Sequence, residues 1–180
     1  MLKPKNQSIG IFGGSFDPPH KGHVEISKIS LQKMKLKKVY WIVAKKNPLK
    51  NKTFFSLKQR IKKSKKMLKK FNNIKVLYLD GKIKSSRMIK VINHMKKVDK
   101  HRGLYLILGS DNLLNFHKWS SWKKIVKLTK LVVFSRKGYD KKSKESLVVK
   151  YLKNKNIVFI KNKLINISSS NIKKKFKSFK

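Results

Sequence analysis

Apolar and polar residues sort along this chain into two alternating patterns. Six short runs, at 8–12 (SIGIF), 39–44 (VYWIVA), 74–79 (IKVLYL), 104–108 (LYLIL), 131–134 (LVVF) and 157–160 (IVFI), are rich in β-branched and aromatic residues and mostly apolar at consecutive positions. A strand with one wet face would alternate, so these runs suit strands covered on both sides, as in a parallel sheet. Between them apolar residues recur at helical spacing. Met88, Val91, Ile92 and Met95 fall at i, i+3, i+4 and i+7 on a helix that Ser85 or Ser86 could cap, and Leu57, Ile61 and Leu68 mark another behind a Ser56 cap. The first helix, from about Gly22, carries Val24, Leu31 and Met34 on one stripe. The order β-α-β-α-β-α-β, with one long connection after Leu108, predicts a three-layer, Rossmann-like α/β fold with a mostly parallel sheet.

Composition narrows this further. With 180 residues and 39% hydrophobic content the chain can build one ordinary core, and no internal repeat or Pro/Gly/Ser-rich linker divides it, so a single domain over 1–180 is expected. The absence of cysteine excludes disulfides, thiolate metal sites and a cysteine nucleophile. No stretch approaches the roughly 18 apolar residues of a membrane span, and the start has no long apolar leader, so a cytoplasmic protein is expected, with no membrane partner.

Charge is the anomaly: 49 Lys+Arg against 7 Asp+Glu give +42, a balance that can signal a polyanionic partner. Yet only Arg60, Arg87, Arg102 and Arg136 are arginines, the better fork for phosphates and bases, and the lysines are scattered from end to end. Solvated surface is the favoured reading, with lysine-rich stretches such as 62–70 as wet helix faces and no specific nucleic-acid partner. A basic nucleic-acid-associated protein remains the competing reading, with a steep salt dependence as its mark.

The segment Gly13-Gly14-Ser15-Phe16-Asp17-Pro18-Pro19-His20-Lys21-Gly22-His23 follows the first strand directly. Ligands of open parallel sheets sit at the carboxyl ends of strands, and a helix beginning there aims free N–H groups and a positive dipole at an anion. Gly13 and Gly14 let the backbone bend and approach a ligand, two prolines stiffen the turn, and His20 and His23 can project from one side of the helix start. Each piece alone is ordinary: a Gly-Gly pair is common after a strand, and a histidine in a turn usually sits at a surface. Together, in this order, they point to nucleotide-phosphate chemistry, and no Walker A loop competes with that reading. Near the other end, Ile167-Ser168-Ser169-Ser170-Asn171-Ile172-Lys173 places hydroxyls and amides before a helix, with a cation one turn in; alone it reads as a capped helix followed by lysine.

These motifs resemble the HxGH nucleotidyltransferase superfamily, the second of them its ISSTxIR motif with Ser170 for Thr and Lys173 for Arg. Within that superfamily, Gly109-Ser110-Asp111 through Phe116 and Trp119 resembles the GADxL…F..W segment of bacterial nicotinate mononucleotide adenylyltransferases. Asn47-Pro48-Leu49-Lys50 is similar to their NPxK loop, and Val133 to Arg136 to their V..R segment. The likeness runs from about Ile9 to Lys173. It implies transfer of AMP from ATP to nicotinate mononucleotide, releasing pyrophosphate, as a step of NAD synthesis, with Mg²⁺ accompanying ATP and no metal site in the protein itself. By that resemblance His20 and His23 act on the reacting phosphates. Gly13, Gly14, Ser15, Phe16, Lys50, Asp111, Ile167, Ser168, Ser169, Ser170 and Lys173 join them around ATP, while Asp17, Lys50 and Trp119 serve the acceptor, Trp119 as a platform for the pyridine ring. The runner-up is another acceptor on the same fold, such as phosphopantetheine. Two stretches depart from the family: Arg87, Met88, Val91 and Ile92 stand where it carries a Tyr-Thr-x-x-Thr-Leu pattern, and the sequence stops at Lys180 without the Pro-x-x-Val-x-x-Tyr-Ile ending.

Overall fold

The computed structural model describes residues 8–45, 53–98, 103–161 and 172. All six expected strands are present: β1 (Ile9–Gly14), β2 (Lys38–Val43), β3 (Ile74–Leu77), β4 (Leu104–Gly109), β5 (Lys130–Phe134) and β6 (Ile157–Ile160). They form one sheet in the order β3-β2-β1-β4-β5-β6, and every neighbouring pair is parallel. β1 is thus the central strand from which the chain winds first to one edge and then, from β4, to the other. The crevice between β1 and β4 is the topological switch point, where doubly wound sheets bind ligands.

Helices cover both faces. α1 (Lys21–Lys33) and α2 (Leu57–Met67) close one side over Phe12, Val39, Trp41, Ile107 and Phe134. On the other side lie α3 (Asp80–Ile83), α4 (Met88–Val98), α5 (Ser110–Leu114), α6 (Trp122–Leu128) and α8 (Leu147–Leu152), the last preceded by α7 (Asp140–Lys144). This layer packs on Ile9, Ile11, Leu106, Leu108 and Val133. Alternate residues of the same strands feed the two cores, which is why the strands read as unbroken apolar runs. No helix among the described residues is long and apolar enough to cross a membrane.

Local detail follows the sequence with instructive exceptions. Ser56 caps α2 in a full reciprocal box: its hydroxyl accepts from the Gln59 amide at 3.2 Å, and the Gln59 side chain accepts from the Ser56 amide at 2.9 Å. Ser85 does not cap α4 itself; its hydroxyl accepts from the Arg87 amide at 3.2 Å, one residue before the helix. On α1 the stripe of Val24, Leu31 and Met34 is half-buried, and the deepest positions are Gly22, Ile26, Ser27 and Ser30. The two buried serines of α1 are tolerated because the hydroxyl of each is paired. Ser27 donates to the His23 carbonyl at 2.9 Å and accepts from the Trp41 indole at 2.7 Å, while Ser30 donates to the Ile26 carbonyl at 2.8 Å. Replacing Trp41 by Phe removes that indole donor and leaves a void. The expected loss is about 1–2 kcal/mol of stability, read as a lower urea midpoint at unchanged slope.

Candidate active site

β1 ends at Gly14, and within six residues the chain turns, passes a cis Asp17–Pro18 bond and enters α1 at His20. The turn is held from below by aromatic packing. Phe16, in left-handed backbone conformation at φ 46°, buries its ring flat on Trp41, with centroids 4.7 Å apart and planes 9° apart, and meets Phe12 edge-on at 5.6 Å. Its ring therefore belongs to the core, and only its backbone is left to approach a ligand. Asp17 is 2% exposed, and its carboxylate accepts from the amides of Phe54 and Phe55, both at 2.8 Å. Both oxygens of Asp17, a residue expected at the acceptor, thus brace the turn that leads into α2.

Glycine works here by close packing within the protein. A Cβ on Gly13 would collide with the thioether methyl of Met88, and one on Gly14 would press on the Phe16 ring at 3.3 Å. The space at the end of β1 is thus lined by a flexible methionine tip, which can swing aside. Ser15 follows, half-buried.

The two histidines meet as the spacing suggests, with ring centroids 3.7 Å apart at the start of α1. The His20 amide donates to His23 Nδ1 at 3.2 Å, and the His23 amide donates to the His20 carbonyl at 2.9 Å. Because Nδ1 of His23 is an acceptor, a neutral ring there carries its proton on Nε2. His20 is 4% exposed, and its Nδ1 has no hydrogen-bond partner among the described residues. Burial first, and then the positive charge of Arg136, lower its pKa from 6.5 to about 4, so the free protein holds it uncharged at neutral pH.

Arg136 is the residue that the sequence underrated. It lies two positions beyond β5, across the switch point, and its Nε is buried with no hydrogen-bond partner among the described residues; Asp111 Oδ1 is 4.0 Å away. A turn holds it there: the Arg136 amide donates to Ser110 Oγ at 3.0 Å and to Asp140 Oδ1 at 2.9 Å, and Ser110 donates to the same carboxylate oxygen at 2.7 Å. Burial would raise the Asp140 pKa, but these bonds, one from Ser135 and the charge of Lys144 together hold it below the usual carboxylate value. A Cβ on Gly109 would displace the Asp111 carboxylate tip and press on the Arg136 side chain. Asp111 itself stands in the first turn of α5, partly exposed.

Trp119 is half-buried and stacks on Phe116 with centroids 4.8 Å apart and planes 29° apart. Beyond β2 and β3 a cavity of about 410 Å³ opens, lined by Lys45, Tyr78, Asp80, Lys84, Ser85 and Ser86 among others. Of the expected site residues, Lys50, Ile167, Ser168, Ser169, Ser170 and Lys173 lie outside the described residues. No cluster of three or more His, Cys, Asp or Glu that could hold a metal ion occurs among the described residues.

Comparison with known proteins gives a consistent result. The cytidylyltransferase-like family model matches residues 11–175. A protein of Pelagibacter ubique named "Probable nicotinate-nucleotide adenylyltransferase" is 45% identical, covering 97% of this chain and 99% of its own length. One of Nitratiruptor, under the same name, is 35% identical over 78% of this chain and 80% of its own. Among solved structures, the nicotinic acid mononucleotide adenylyltransferase of Plasmodium falciparum complexed with NaAD superposes with a TM-score of 0.73 at 21% identity, covering 93% of this chain and 83% of that one, a likeness of fold.

Proposed function

The chain belongs to the cytidylyltransferase-like family and, within it, to the nicotinate-nucleotide adenylyltransferases, and from that premise we propose that it transfers AMP from ATP to nicotinate mononucleotide in the cytoplasm. The observation that carries this reading is the close pair of His20 and His23 rings at the helix start beyond β1, with Arg136 near enough for its charge to act on His20. A phosphate oxygen of the acceptor attacks the α-phosphorus of ATP, the bond from that phosphorus to the bridging oxygen breaks, and pyrophosphate departs. Such a displacement needs no covalent enzyme intermediate, so the protein's work is alignment and charge stabilisation.

The roles follow from placement. His23 donates from Nε2 to a phosphoryl oxygen, and His20, in contact with it, lines the same anion. Arg136 supplies a fixed positive charge, and by the family resemblance Lys50, Lys173 and the segment 168–171, which lie outside the described residues, would complete the hold on the leaving pyrophosphate. Mg²⁺ arriving with ATP fits a site poor in carboxylates, because this ion keeps mainly water and phosphate oxygens; Asp111 is the carboxylate at hand, and the ion would neutralise charge on the leaving group. Trp119, its ring braced by Phe116, is the platform for the pyridine ring.

The acceptor is expected to be nicotinate mononucleotide in preference to the nicotinamide form. A carboxylate suits a strongly positive surface and a cavity offering Lys45, Lys84 and serine hydroxyls, whereas an amide brings N–H groups that need acceptors. Pyrophosphate release measured with ATP and nicotinate mononucleotide, nicotinamide mononucleotide or phosphopantetheine decides it. The expected kcat/KM is highest for the first by about tenfold or more. Equal values for the two mononucleotides would overturn the acceptor, and release with phosphopantetheine alone would assign a different enzyme.

A further inference from the structure

α2 has the sequence LKQRIKKSKKM, in which Arg60 looks like one more cation of a wet face. Its lysines at 62, 63, 65 and 66 are indeed exposed, but Arg60 is 1% exposed and among the largest fully buried side chains. The guanidinium donates to four carbonyl oxygens. Nη1 reaches Ser15 at 2.7 Å and Ala44 at 2.8 Å, Nη2 reaches Lys45 at 3.0 Å, and Nε reaches Phe55 at 3.2 Å. Those acceptors belong to three separate segments: the turn leaving β1, the chain leaving β2, and the turn entering α2. Near these strand ends the Ala44 amide still pairs with the Gly14 carbonyl at 3.0 Å, and Arg60 takes up carbonyls beyond it that the diverging strands leave without ladder partners.

Two carboxylates complete the arrangement. Asp17 and Asp80 are the counter-charges, favouring the charged guanidinium against the effect of its burial. They also tie the same segments by their amides: Asp17 accepts from Phe54 and Phe55, and Asp80 accepts from Lys45 at 2.8 Å. Burying a guanidinium is expensive, and an apolar side chain would close α2 onto the sheet without that cost. What an apolar residue cannot do is hold four carbonyls in one plane at fixed separations, which is the particular property of the arginine fork.

We propose that Arg60 is a positioning residue for adenylyl transfer: by pinning the Ser15, Ala44, Lys45 and Phe55 carbonyls to one planar group, it sets the turn that presents His20 and His23 without itself touching substrate. The inference rests on the adenylyl-transfer reading above. Arg60→Lys keeps the positive charge between Asp17 and Asp80 but cannot span four acceptors. With ATP and nicotinate mononucleotide, at a temperature where circular dichroism shows the variant folded, kcat is expected to fall about tenfold or more while either KM changes by less than about threefold, since small misplacements of reacting groups act mainly on turnover. In the substrate-free protein the ¹H–¹⁵N signals of the His20 and His23 rings should shift. A lower melting temperature with unchanged kcat and unchanged imidazole signals would reduce Arg60 to a purely structural residue and overturn the proposal. If Arg60→Lys does not fold, Asp80→Ala decides: it removes the tie to the Lys45 amide and one of the two counter-charges of Arg60, and a smaller fall in kcat is expected, whereas full turnover overturns the clamp. Because the imidazole signals are read without substrate, a wild-type chain inert towards ATP and nicotinate mononucleotide would defeat the proposed function, and the clamp would still stand or fall on those signals.

Discussion

His20→Ala is expected to lower kcat by about 10²-fold or more, the scale of removing one preorganised group from a developing charge, with the fold retained. The fold survives because the backbone amide of residue 20 still donates to His23 Nδ1, so the start of α1 keeps its cap. His23→Ala should cost as much turnover and additionally lose that cap, worth about 1 kcal/mol, so the two variants separate chemistry from capping. A second readout is specific to His20. Its pKa is about 4 in the folded chain against 6.5 unfolded, so the unfolded chain binds more protons between these values, and stability falls as pH is lowered through the window from 6.5 to 4. The full effect is about 3 kcal/mol. Urea midpoints of wild type measured from pH 7 to pH 4 should therefore drop more steeply than those of His20→Ala. Near-wild-type turnover in His20→Ala would remove the histidine pair from the mechanism, and parallel pH profiles would show that His20 is not held neutral by its surroundings.

The parts of this molecule that were legible in its sequence are those governed by local pattern. Buried parallel strands announce themselves as apolar runs, and all six appear within two residues of the expected limits, β1 running two residues further to Gly14 and β3 stopping two short at Leu77. The Ser56 cap with Gln59 three residues on is likewise a short-range signal. The histidine pair was legible because Pro18, Pro19 and the three-residue spacing confine it to one helix start. Residues whose roles depend on distant partners were not. Arg60 is indistinguishable in sequence from the lysines around it, because its burial is decided by carbonyls of Ser15, Ala44 and Lys45 that approach only when β1 and β2 pair. Asp17 sits inside the motif and reads as a ligand-facing acid; its partners, the amides of Phe54 and Phe55, come from the far side of β2. The short helices α3, α5, α7 and α8 span four to six residues each, too few for a 3.6-residue period to stand out.

Arg136→Ala is expected to have the second large effect, and it leaves two separate marks. Only the side chain is lost: the backbone amide of residue 136 keeps its bonds to Ser110 and Asp140, so the turn after β5 should hold its shape. Losing a fixed cation from a site that binds a triphosphate should weaken ATP and lower kcat/KM by about 10²-fold or more, because a charge-assisted contact is lost from both bound substrate and departing pyrophosphate. Arg136→Lys restores the charge without the fork and should recover part of the loss. The other mark needs no substrate. Arg136 is one of the two causes that depress the His20 pKa, the lesser after burial, so its removal should move the His20 titration upward from about 4, towards but not reaching 6.5. Following the imidazole signals of the variant against pH tests this directly. A His20 titration that does not move would show that burial alone keeps it neutral, and an unchanged ATP affinity would take Arg136 out of the triphosphate site. Movement of both together would place the cation and the histidine pair around one anion, at the carboxyl ends of β1 and β5 on either side of β4, where the sequence pattern of either segment alone is silent.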